Sequence, residues 1–247
     1  MDLPKKIEND HLVETIAAVR FVPSGDSNSA LWPGLLMPPL KEEGYTYIPI
    51  RRDKPADAAT DAEPAVDAEL PEVSMFANLD LSIRVLIEGN TVSFNYMAGH
   101  YGGWDQYAAQ IERVLAILSN AGVAGAFDRA MVRYISEYPE VDVLQHIKPQ
   151  LSVADASGFV PQEVTFTRND DGARAFVAVS SMLPRRNSDG SDEHLASLFD
   201  VTVYRNVEGD RNAPAALRAL ATAHRLEKKC FFELLQPDFL QSLKPVY

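Results

Sequence analysis

Five histidines, one cysteine and a glycine-flanked loop are the residues whose chemistry could build a site in this chain. His11, His100, His146, His194 and His224 include no pair at the i, i+4 spacing that puts two imidazoles on one helix face, so no metal site is expected. Cys230 follows His224 by six residues. On a helix that spacing turns the two side chains roughly 120° apart, a poor arrangement for shared ligation. Lys228 and Lys229 could activate the thiol, but Phe231 and Phe232 favour a buried, inert one. Asp192, Glu193 and His194 are triad-like in type, yet they fall in a polar stretch after Arg185-Arg186 that offers no rigid support. No catalytic residue is assigned, and no cofactor is expected.

The run Ala98-Gly-His-Tyr-Gly-Gly-Trp104 lacks the Lys-Ser/Thr of a P-loop and the spacing of a dinucleotide fingerprint. Its glycines suit a strand-to-helix joint. A helix N-terminus flanked by His100, Tyr101 and Trp104 can also receive an anion or an aromatic ligand. His224 interrupts the apolar stripe of the closing helix, where a half-buried imidazole with a hydrogen-bonded nitrogen is expected. Arg133, Tyr134 and Asp200 lie on strands expected beneath that helix. These three residues and His224 are therefore expected to converge in a pocket between helices and sheets.

The elements that must position these residues follow from periodicity. Residues 11–21 read as a strand, followed by a Pro/Gly/Ser-rich connection through Pro23, Gly25, Pro33, Gly34, Pro38 and Pro39, and by a short edge strand over 45–50. Residues 53–72, rich in Ala, Asp, Glu and Pro, read as a mobile acidic loop. Residues 81–87 and 91–96 form a hairpin about Glu88-Gly89-Asn90. Trp104, Tyr107, Ala108, Ile111, Leu115 and Leu118 make one helical stripe ending near Asn120-Ala-Gly122, and residues 130–135 make the next strand. A second hairpin joins 162–168 to 173–180, a polar loop spans 185–193, and a strand covers 198–204. Asn212 caps the closing helix, with Pro214 in its first turn and Leu217, Leu220, Ala221, His224 and Phe231 along its stripe. Pro237 should end it, with Phe239 and Leu240 folding back. The fold class is α+β with mostly antiparallel sheet in two successive strand clusters, each covered by a long helix. Residues 1–150 and 151–247 would be two subdomains packed as one unit.

Three motifs resemble an uncharacterised, sporadically distributed bacterial family of about this length. The chain opens with Glu14-Thr-Ile-Ala-Ala-Val-Arg-Phe21, carries Arg133-Tyr-Ile135 after a long helix, and ends with Asp200-Val-Thr202 and His224 through Phe231. The family places a second acid where Thr202 stands, so half of that acidic pair is lost here. The resemblance brings no catalytic residues. It implies a setting on mobile or defence-associated gene islands.

Charge narrows the classes of function. The chain has 247 residues, 46% of them hydrophobic, with 23 Lys plus Arg against 35 Asp plus Glu and a net charge of −12. Such a surface argues against binding a nucleic-acid backbone directly. One cysteine allows no internal disulfide, the first ten residues lack an apolar signal core, and no apolar run approaches the ~18 residues needed to span a bilayer. A cytoplasmic protein without membrane contact is expected. The leading expectation is a non-enzymatic interaction module for another protein with a basic surface, in a defence or toxin-linked operon. The alternative is a small-ligand binder or enzyme using the helix–sheet pocket, and a third is nucleic-acid mimicry by the acidic segment.

Overall fold

The computed structural model of the chain describes residues 3–9, 11–25, 28–50, 73–80, 82–97, 101–149, 161–186 and 193–247. The acidic segment 53–72 and His100 lie outside the described residues. The elements run β1 (Lys6–Ile7), β2 (Leu12–Pro23), α1 (Trp32–Glu42), β3 (Thr46–Ile48), β4 (Val73–Asn78), β5 (Ile83–Glu88) and β6 (Thr91–Met97). They continue with α2 (Trp104–Asn120), β7 (Ala124–Pro139), β8 (Glu163–Asp170), β9 (Ala173–Arg186) and β10 (Glu193–Asn206). The last are α3 (Ala213–Leu234), α4 (Pro237–Ser242) and β11 (Pro245–Val246).

The α+β class stands. The strands do not separate into two clusters, however. Nine of them join one sheet in the order β3-β4-β5-β6-β2-β7-β10-β9-β8, every pairing antiparallel. The long β7 makes this continuity possible, because its sixteen residues pair with β2 on one side and β10 on the other. Both expected hairpins form with two-residue turns. Glu88 pairs with Thr91, and Asp170 pairs with Ala173 across Asp171 and Gly172. Those two residues have φ of 47° and 70°, the left-handed pair that matches the twist of the flanking strands.

Burial alternates along β7, so one face of the sheet is core. Helices α1, α2 and α3 lie on that face, with α3 against β7, β10 and β9 and touching α2. Helix α2 is pinned by Tyr107, which is fully buried. Its hydroxyl donates to the Phe94 carbonyl at 2.5 Å and accepts from the Ala17 amide at 2.7 Å.

Three expectations are corrected. The Pro-rich connection contains α1, because Trp32, Leu36 and Leu40 recur at i, i+4 and i+8 and bury together. That packing outweighs the hydrogen bonds lost at Pro38 and Pro39. Strand β4 follows the acidic segment where no strand was expected. Part of the polar stretch 185–193 is ladder, in which Arg185 pairs with His194. Helix α3 begins as expected, Asn212 Oδ1 accepting from the Ala215 amide at 3.0 Å. Its buried side is rotated from the expected stripe towards Ala219, Ala223, Leu226 and Cys230, leaving Leu217 half-buried. Leu235 is buried, Pro237 opens α4, and Phe239 and Leu240 pack on the core.

Candidate functional site

A cleft of about 760 Å³ opens between the N-terminus of α2, the middle of β7 and the second half of α3. Tyr101, Trp104, Tyr134 and His224, four of the residues singled out from sequence, all line it. Each arrives from a different constraint. Tyr134 projects from the core face of β7 beneath α3. His224 faces it from α3, with ring centroids 5.4 Å apart. Trp104 is the first residue of α2 and stacks on the His224 ring at 4.3 Å with planes 13° apart. Gly103 makes this approach possible, because its φ of 100° is a backbone state that residues with a Cβ rarely adopt. Tyr101 shares a hydroxyl–hydroxyl hydrogen bond of 2.8 Å with Tyr134. Burial raises the Tyr134 phenol well above its ordinary pKa, so at neutral pH it is a neutral hydrogen-bonding group.

Glu227 is the residue that the sequence reading missed. It sits one helical turn after His224, with Oε2 3.5 Å from Nδ1, and its side chain is only 6% exposed. Neither partner gains a hydrogen bond there: His224 Nδ1 is buried without one, and among the described residues nothing donates to the Glu227 carboxylate. The detectable signal was an acid at i+3 from His224 on the face shared by Ala223, Leu226 and Cys230. The basic residues of the cleft were missed as well. Lys5 and Lys6 reach its edge because β1 pairs with β11, and Lys228 Nζ donates to the Lys5 carbonyl at 3.1 Å. Partial burial lowers the Lys228 pKa, an effect that Glu227 opposes.

Arg133 and Asp200 do not join this site. They face the opposite side of the sheet, since residues alternate along a strand and Tyr134 and Val201 point to the core. There Arg133 Nε lies 3.0 Å from both Asp200 oxygens and Nη2 lies 2.5 Å from Oδ2. Thr202 donates to Asp200 Oδ1 at 3.3 Å. His194 lies on β10, 3.3 Å from Glu137.

The arrangement can hold a ring and exchange hydrogen bonds with it; a nucleophile is harder to find. Burial pushes the Cys230 thiol up to about 11. Ser136 lines the cleft, but among the described residues no hydrogen bond links it to His224. Among the described residues no cluster of His, Cys, Asp and Glu could hold a metal ion. No helix among them is long and apolar enough to cross a membrane. Compared with known protein families and with curated proteins, the chain matches none.

Proposed function

We propose that this protein binds a small ligand in the cleft over Tyr134, without covalent chemistry. The convergence of Trp104, Tyr134 and His224 with a carboxylate, Glu227, that accepts no hydrogen bond from the described residues carries the reading. A volume of about 760 Å³ falls among small-molecule sites, and an aromatic lining with few polar groups is their usual composition. Buried acceptors in folded proteins are nearly always paired, so a carboxylate facing a cleft without a donor fits a ligand that supplies one. The chemistry of the walls favours binding over turnover: an imidazole, phenols and a carboxylate are present, with no activated nucleophile beside them.

Thermal melts against a metabolite library test this. A ligand at a hundred times its Kd stabilises by about 2.7 kcal/mol, roughly 5–10 °C in a chain of this size. Trp104 gives a second readout, because the only other tryptophan, Trp32, is buried at the start of α1. A library in which no compound raises Tm would sink the proposal. So would stabilisation that persists unchanged in both His224→Ala and Glu227→Gln.

A second reading is the accessory module for a basic protein partner in a bacterial defence or toxin-linked operon. One observation favours it: Arg133 and Asp200 are partly exposed on the sheet face opposite Tyr134, in a chain of net charge −12. Co-purification from a native host with wild-type protein and with Arg133→Glu tests it. Equal recovery of every partner by both would count against that face.

A further inference from the structure

Given that the cleft is a binding site, we infer that it takes a fused ring presenting two adjacent N–H donors and carrying an anionic arm, as in a guanine nucleotide or a pterin with an acidic tail. Three features of the cleft select this chemistry.

The first is the deep acceptor. Glu227 is almost wholly buried, its Oε2 lies 3.5 Å from His224 Nδ1 without a hydrogen bond, and an ionised carboxylate has two acceptor oxygens and no donor. Its complement is a pair of donors side by side. Guanine and pterin rings offer that pair, a ring N–H next to an exocyclic amino group. Adenine and cytosine set a ring acceptor beside their amino group, which would turn a lone pair towards the carboxylate. Uracil flanks its ring N–H with two carbonyls and fails for the same reason.

The second feature is shape. Tyr101, Trp104, Phe231 and Phe232 contribute aromatic surface to the walls, suited to a flat ring that arrives edge-first at Glu227.

The third is charge. Lys5, Lys6, Arg225 and Lys228 line the cleft against two acids, Asp105 and Glu227, so the site is locally basic in a strongly acidic chain. Gly102 and Gly103 add the N-terminus of α2, whose dipole and free amides favour an anion. A cationic edge around an inner carboxylate fits a ligand with opposite requirements at its two ends. The ring donors go inward and the phosphate or carboxylate arm stays near the lysines.

Isothermal titration of the full chain with GMP, folate, AMP, guanosine and inorganic phosphate tests the assignment. GMP or folate should bind, and which of them does separates the two sources. AMP should bind roughly tenfold or more weakly than GMP, the discrimination expected of one bidentate contact. Glu227→Gln should weaken the preferred ligand by about tenfold or more, because the amide keeps only one acceptor. Should that variant fold poorly, Lys228→Met decides instead: it should weaken GMP while leaving guanosine unchanged, or weaken folate if the pterin is preferred. AMP binding as tightly as the preferred ligand overturns the inference, as does an unchanged affinity in folded Glu227→Gln. If neither GMP nor folate binds while another library compound stabilises the protein through His224, the ligand class is wrong and the cleft remains a binding site. If no compound binds, both fail.

Discussion

Replacing Tyr107 with Phe removes one oxygen atom from the centre of the fold and should be expensive. The ring remains, so no large cavity forms and the contacts with Tyr96, Tyr101 and Trp104 survive. What disappears is the hydroxyl bridge between the Phe94 carbonyl and the Ala17 amide, on adjacent strands β6 and β2. Tyr107 is fully buried, so water cannot replace the hydroxyl without opening the core. A buried donor or acceptor left unsatisfied costs about 1–3 kcal/mol. Two such groups, offset by no longer desolvating the phenol, put the loss at about 2–4 kcal/mol. At roughly 2–4 °C per kcal/mol for a chain of this length, Tm should fall by roughly 4–16 °C. Differential scanning calorimetry of wild type and Tyr107→Phe measures it directly, with urea titration as the equilibrium check. A Tm within about 2 °C of wild type would refute the idea that this bridge fastens α2 to the sheet.

Alkaline pH gives a test with a definite sign. Burial raises the Tyr45, Tyr96, Tyr107 and Tyr134 phenols in the folded protein, whereas unfolded tyrosine titrates near ~10. Below about 10 both states keep these protons; above it the unfolded state loses them first, so stability should fall as pH rises through the folded values. Urea midpoints measured on either side of that point check the sign, and Tyr134→Phe should flatten the slope. The Arg133–Asp200 pair should contribute little, because its side chains are 40% and 22% exposed. A double-mutant cycle with alanine should give a coupling of about 1 kcal/mol or less, with ligand binding in the cleft unchanged. Glu227→Met should leave Tm unchanged or raise it while abolishing ligand binding, since replacing a poorly paired buried charge by an apolar side chain of similar volume is often neutral or stabilising. A large fall in Tm would show that the carboxylate serves the fold.

The elements most legible in the sequence were those whose signal is local. Gly89-Asn90 and Asp171-Gly172 announced both hairpins, and the spacing from Tyr107 to Leu118 announced α2 almost to the residue. Helix α1 was hidden by its own composition. Three prolines and a glycine within Trp32–Glu42 count against a helix in any propensity sum, and burial of Trp32, Leu36 and Leu40 against the rest of the fold decides the matter. Joining the strands into one sheet was not legible either, because it depends on β7 pairing with β2 and β10 across long stretches of chain. Arg133 and Tyr134 show how finely a site depends on register. They are neighbours in sequence, and a pleated strand sends one to the cleft and the other to the opposite face.

His224 and Glu227 carry a general lesson about polar residues on a buried helix face. A histidine in an apolar stripe is usually a satisfied core residue. The difference here is the second polar group one turn away, 3.5 Å from Nδ1, with no hydrogen bond joining the two. Core polar groups kept for stability are mostly hydrogen-bonded, although Thr15 Oγ1, Trp32 Nε1, Tyr45 OH and Tyr96 OH are buried here without a hydrogen bond. It is therefore the pairing of two such groups at a cleft that sets His224 apart. Nδ1 of His224 has no hydrogen bond, and the Glu227 carboxylate faces a cleft with no described donor. Local choices that conflict with stability in this way collect at functional sites, where something outside the chain completes them. The aromatic walls, the basic edge and the unsatisfied pair all face one opening, and a single bound molecule would satisfy all three.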